Sequence, residues 1–184
     1  NTKNIGTLSN TGTLANATNT GTITSLDNTK NIGTFSNAGT ITNQVKNQGT
    51  IASFDNKGNL NGGFVNDTGA TLSKFSNTKN IGTFSNLGTI TSQVKNQGTI
   101  TSFDNKGNLS GGFVNDTGAT LSKFSNASNL GTLENKGNLA TLTNTGTLNS
   151  ASNTGTIASL DNTKNIGTFS NAGTITSQVK NQGT

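Results

Sequence analysis

A unit of nine to eleven residues headed by Asn recurs about twenty times along this chain of 184 residues, without interruption. Asn19 to Asp27 reads N-T-G-T-I-T-S-L-D, Asn47 to Asp55 reads N-Q-G-T-I-A-S-F-D and Asn77 to Ser85 reads N-T-K-N-I-G-T-F-S. The consensus is N-x-G-T-[IL]-x-x-[FL]-x. A unit this short cannot enclose a core of its own, so it must stack on its copies. The chain is therefore expected to be a quasi-one-dimensional rod. Residues 1–184 read as a single solenoid array, cut from a longer one, with no shift of composition that would mark a linker.

Each unit carries two apolar positions three residues apart, as in Ile51 and Phe54, Ile81 and Phe84, Ile100 and Phe103, and Leu130 and Leu133. All nine Phe occupy the second of them. A helix would need apolar residues carried continuously at i, i+3, i+4 and i+7. Here the pattern resets at every unit, and Gly and Asn punctuate it. β-Branched Ile and Thr favour strands. The expected unit is a short strand at T-[IL]-x, a bend, a second short strand at [FL] and a turn at N-x-G. Only 27% of the residues are hydrophobic and 10% charged, a composition often found in disordered chains. Disorder, however, gives no reason for the apolar residues to keep a phase, and the net charge is only +5.

The recurring Asn reads as a corner residue tolerant of left-handed backbone. Its stacked side-chain amides are expected to form a hydrogen-bonded ladder, as in cross-β stacks. A longer repeat lies over the short one: Asn28 to Ser76 and Asn77 to Ser125 match almost residue for residue. Each block holds five units. With two units per coil, each duplication moves a given unit to the opposite face, which is harmless if the two faces are nearly equivalent. A flattened coil of about nineteen residues follows, with roughly ten coils in a rod of roughly 50 Å. Three units per coil, with a triangular section, is the alternative. The units N-K-G-N-L-N-G-G-F-V and N-D-T-G-A-T-L-S-K-F-S carry extra residues and are expected to form bulges or wider turns.

No catalytic, cofactor-binding or metal-ligating residue is predicted, and no enzyme activity is expected. His and Cys are absent, so the usual nucleophile–base pairs cannot be assembled. Asp27, Asp55, Asp104, Glu134 and Asp161 end their units but recur too sparsely to pair in the stack. They read as solvated turn residues, as do Asp67 and Asp116. Calcium-binding nine-residue β-rolls need an Asp in nearly every turn; here the turns carry neutral residues.

All twelve cations are Lys. Lys46, Lys95 and Lys180 close the Q-V-K units, and Lys57, Lys106 and Lys136 lie in N-K-G turns. Without Arg or free aromatic rings, nucleic-acid binding is not expected. These lysines read as solvated charges that keep rods apart. The pairs Thr22/Thr24, Thr40/Thr42, Thr89/Thr91, Thr99/Thr101 and Thr174/Thr176 flank an inward Ile and face out. A regular rank of such pairs would suit ice or a glycan, but here the rank is broken. No apolar run is long enough to span a membrane, and no membrane insertion is expected.

The tandem N-x-G-T-[IL] units, such as Asn19 to Leu26 and Asn171 to Val179, resemble the β-helical passenger repeats of bacterial type V secreted surface proteins. Filamentous haemagglutinin-like exoproteins and vacuolating-cytotoxin-like autotransporters carry similar Asn/Gly/Thr-rich runs. The resemblance covers the whole chain. It implies a right-handed parallel β-helix, secretion through the outer membrane, and an adhesin stalk at the cell surface or outside the cell. Partners would be neighbouring solenoid segments of the same or identical chains, and a host or cell-surface receptor or glycan. No functional residue carries over, because such repeats are scaffold.

Overall fold

A computed structural model describes residues 1–183. The chain is an all-β parallel solenoid with two units in each coil. Odd and even units feed two facing sheets, and every strand pairing is parallel. One sheet runs from Asn4–Asn10 through Thr22–Asn28, Asn80–Asn86, Thr99–Asn105 and Thr120–Asn126 to Thr174–Asn181. The other runs from Thr13–Asn19 through Asn31–Asn37, Thr50–Asn56, Thr71–Asn77 and Asn129–Asn135 to Ile166–Asn171. The triangular alternative is excluded by this two-sheet topology.

A regular unit forms one seven-residue strand instead of two short ones. In Thr99–Asn105 the inward residues are Ile100, Phe103 and Asn105. Strict alternation would put Ile100 and Phe103 on opposite faces, since they are three residues apart. Two consecutive outward residues, Thr101 and Ser102, break the alternation, so that both apolar residues face inward. In four units with one residue more, the chain leaves the sheet between the apolar positions. Thr40–Ile41 and Val45–Asn47 are then separate strands, as are Asn59–Leu60 and Phe64–Asn66. In Asn171 to Lys180, by contrast, the strand Thr174–Asn181 continues through a bulge. The unit Asn56 to Val65 has the wider bend expected of it, and the unit Asn66 to Ser76 takes its extra residues in a wider turn before the intact strand Thr71–Asn77.

Register stacks like on like. Ile32 lies beside Ile51, Phe35 beside Phe54 and Asn37 beside Asn56. Eight of the nine Phe are fully buried. Within a sheet the rings stack, as in Phe84–Phe103 at 4.7 Å between centroids. Between sheets they meet edge to face, as in Phe75–Phe84 at 4.7 Å. Both geometries suit the ring quadrupole. Phe169 is the exception, 39% exposed on the last strand of its sheet.

The five-unit block behaves as its odd count requires. Ile32 and Phe35 lie in one sheet, and their counterparts Ile81 and Phe84 in the other. The rod therefore shows the same side-chain set on opposite faces, two and a half coils apart.

One expectation fails. Among the described residues none other than Gly has a positive φ, so the corner Asn is not left-handed. Asn ends its strand in extended backbone with its side chain turned inward, and the amide itself fills the corner. The tightness of the turn is met by Gly. A Cβ at Gly39 would collide with the carbonyl oxygen of Gly21 in the coil below. Among the described residues positive φ occurs only in widened units, at Gly63, Gly69, Gly112 and Gly118.

Candidate functional site

The inward Asn residues form two ladders, one at each edge of the flattened coil. One runs through Asn1, Asn19, Asn37, Asn56, Asn77, Asn96, Asn115, Asn135, Asn153 and Asn171. The other runs from Asn10 to Asn181. In every step Nδ2 donates to Oδ1 of the next coil, so all the side-chain amides point the same way. Asn96 is typical. Its Nδ2 donates to Asn115 Oδ1 at 2.8 Å and to the carbonyls of Gly98 at 3.1 Å and Thr120 at 3.3 Å. Its Oδ1 accepts from Asn77 Nδ2 at 2.8 Å. A fully buried amide is thereby satisfied, which removes the desolvation penalty of burying it. The ladders hold the coils in register, and in the interior of the rod they leave no amide free for a ligand.

The carboxylates are more engaged than turn residues in solvent would be. Asp55, Asp104 and Glu134 sit at the penultimate position of their strands and reach the Lys two residues on. The distances are 2.9 Å for Lys57–Asp55, 2.8 Å for Lys106–Asp104 and 3.0 Å for Lys136–Glu134. The inward Asn between each pair explains this, since its neighbours on both sides must face out. Asp27 and Asp161 are followed at that position by Thr29 and Thr163, and they make no such pair. Asp161 Oδ1 is buried without a hydrogen-bond partner. None of the five lies beside another carboxylate in register: Asp104, for example, lies between Ser85 and Ser125.

Asp67 and Asp116 are also paired, across coils. Lys46 reaches Asp67 at 3.5 Å, and Lys95 reaches Asp116 at 3.1 Å. The backbone N–H of Thr68 holds Asp67 below its ordinary carboxylate value, helped by Lys46 and opposed by desolvation. At Asp116 the hydrogen bond from Lys95 is the leading cause, followed by the N–H of Thr117. Lys106 and Lys136 are raised by their hydrogen bonds to Asp104 and Glu134. Five of the six lysines expected to be solvated are thus ion-paired, and Lys180 has no such pair among the described residues. The D-x-K and E-x-K signals were present in the sequence. The pairs between coils needed the coil length.

The outward Thr pairs come together at one place. Thr22/Thr24 and Thr40/Thr42 lie in adjacent strands of one sheet. Beyond them Thr40 meets Asn59, while Thr99 lies between Asn80 and Thr120. Thr89/Thr91 face out from the other sheet. The rank is therefore broken on both faces. A shallow groove along one edge is lined by Thr40, Lys57, Asn59, Lys79 and Asn80. It presents ammonium and amide groups and no carboxylate. Among the described residues no group of three or more Asp or Glu could hold a metal ion, and no helix is long and apolar enough to cross a membrane. No protein family, curated protein or solved structure matches this chain.

Proposed function

We propose that the chain is a non-catalytic structural rod, a stalk segment of a bacterial surface adhesin or exoprotein, in which repeat number sets reach. The supporting observation is the sameness of the coils. Both Asn ladders run the length of the array, and the apolar column is buried from Ile23 to Leu160, with one register shift at the last pairing, between Ile157 and Ser159. Each coil adds about 4.8 Å, and the backbone bonds between coils are those of an ordinary parallel sheet. A body built this way gains length without changing its cross-section. Its site of action is outside the cell or at its surface. Its partners are the adjoining solenoid segments and whatever receptor or glycan a projected head would reach.

The test is geometric. Insertion of two further copies of the Asn77–Ser125 block adds five coils and should lengthen the particle by about 24 Å. Small-angle scattering should show the same cross-section. On a cell surface, a tag beyond the array should move outward in step. A particle that thickens instead, or a tag that stays in place, would refute the reading.

A second reading, assembly of identical chains into an extracellular fibre, uses the same parallel pairing between coils that builds the rod. Sedimentation across a range of concentrations separates the two: growth into filaments favours the fibre, and a constant mass favours the stalk.

A further inference from the structure

Among the chain's asparagines, Asn61 alone is followed by Gly. Asn61 and Gly62 lie in the bend between strands Asn59–Leu60 and Phe64–Asn66, and both are exposed. The bend is held on either side. Asn61 N donates to Ile41 O at 3.0 Å, and Gly63 N donates to Leu60 O at 3.3 Å. Between them, Gly62 N–H makes no hydrogen bond. The Asn61 amide likewise makes none, unlike the ladder amides.

We infer that Asn61 is a site of spontaneous covalent modification, at which the folded rod converts to aspartate and isoaspartate while its ladder asparagines persist. The inference stands independently of the stalk reading. The Gly62 nitrogen attacks Asn61 Cγ, a new C–N bond closes a five-membered succinimide, and the side-chain nitrogen leaves as ammonia with the proton Gly62 gives up. Solvent water then opens the ring. Cleavage at Cγ leaves aspartate. Cleavage at the former main-chain carbonyl leaves isoaspartate, with the chain routed through the side chain. Gly at the attacking position has no side chain to block the approach, and the two groups are already joined in one chain.

Ladder asparagines in the interior of the rod are buried, hydrogen-bonded and not followed by Gly. Asn66 is buried, its Nδ2 is held by Asn86 Oδ1 at 2.9 Å, and the following N–H, of Asp67, is committed to Asn47 O at 2.8 Å. Asn59 is followed by the buried Leu60, in a strand. Conversion at Asn61 would place one carboxylate on one face of the first block only. The second block has Ser110 at the matching position, with Gly112 at φ 85° where the first has Gly63 at φ 86°.

That duplication supplies an internal control. Cleavage after Lys releases Gly58–Lys74 and Gly107–Lys123, which differ only at Asn61 and Ser110. The intact protein is aged in mildly alkaline buffer made with ¹⁸O water, and both peptides are followed by mass spectrometry. The expected result is NH₂-to-OH exchange with ¹⁸O uptake at Asn61, none in Gly107–Lys123, and a folded-state rate within about tenfold of that in urea. Asn61→Ser should abolish the exchange, and Ser110→Asn should transfer it to the second peptide. Exchange at Asn59 or Asn66, or an inert folded protein that reacts only in urea, would overturn the inference.

Discussion

Replacement of Asn96 by Ala tests whether the ladder contributes stability or merely occupies the corner. Asn96 is fully buried near the middle of its ladder. The substitution removes the bond from Asn77 Nδ2 and the bond to Asn115 Oδ1, both 2.8 Å, with the longer, shared bonds to Gly98 O and Thr120 O and from Gly98 N–H adding less. Each contributes about 1 kcal/mol net. The neighbours are affected unequally. Asn77 Nδ2 keeps the carbonyls of Lys79 at 2.8 Å and Thr99 at 3.5 Å. Asn115 Oδ1 loses its one donor and stays buried, a penalty of about 1–3 kcal/mol. The expected cost is therefore about 3–5 kcal/mol, and it should fall more heavily on the coil C-terminal to the substitution. Urea denaturation gives the total. Amide hydrogen exchange around Lys79 and around Gly118 gives the asymmetry, since cooperativity in a repeat array is local. Asn115→Ala added to Asn96→Ala should cost less than a second independent loss, because the orphaned oxygen is removed with it. Strict additivity, or a cost for Asn96→Ala below about 1 kcal/mol, would show that Asn serves only as a turn residue.

Phe84→Ala opens a hole between Phe64, Phe75 and Phe103 and should cost about 3–5 kcal/mol in the same denaturation assay. Gly69→Ala and Gly63→Ala separate backbone strain from collision. Both sites have positive φ, but a Cβ at Gly69 meets open space while one at Gly63 strikes the Thr83 carbonyl. Gly69→Ala should cost about 1–2 kcal/mol, and Gly63→Ala visibly more; equal melting temperatures would contradict this. Asp67 and Asp116 are held below their ordinary value of 3.8 in the folded state. Their contribution is present above that pH and is lost as pH falls through the depressed folded values. Lys106 and Lys136 are raised above 10.5, so theirs is present below that pH and is lost as pH rises through the raised values. Melting temperature should thus decline slightly at both extremes, and Asp67→Asn with Asp116→Asn should flatten the acid side alone. Lys95→Gln should change stability by less than about 1 kcal/mol, because its ion pair is partly exposed.

The inward positions were legible in the sequence. Isoleucine and phenylalanine three residues apart, reset by each Asn, fit neither a helix nor a flat strand, and only a bent strand in a stack reconciles them. The five-unit duplication pointed to a two-unit coil, because an odd block tolerates the change of face. The partners of Asp67 and Asp116 were not legible, since Lys46 and Lys95 become neighbours only when coil length and loop width fix the register. The D-x-K pairs needed only the recognition that the residue between them faces in.

The sequence by itself determined the periodic variables: which residues enter the core, that Asn stacks on Asn, and that the chain grows in one dimension. These follow from hydrophobic phase and repetition, which are local properties. Tertiary structure decided the vectors. It set the single direction of all the amide bonds, the extended backbone that replaces a left-handed corner, and the edge-to-face rings that join the two sheets. These depend on where a neighbouring coil lies relative to each group, and one unit holds no record of its neighbour's position.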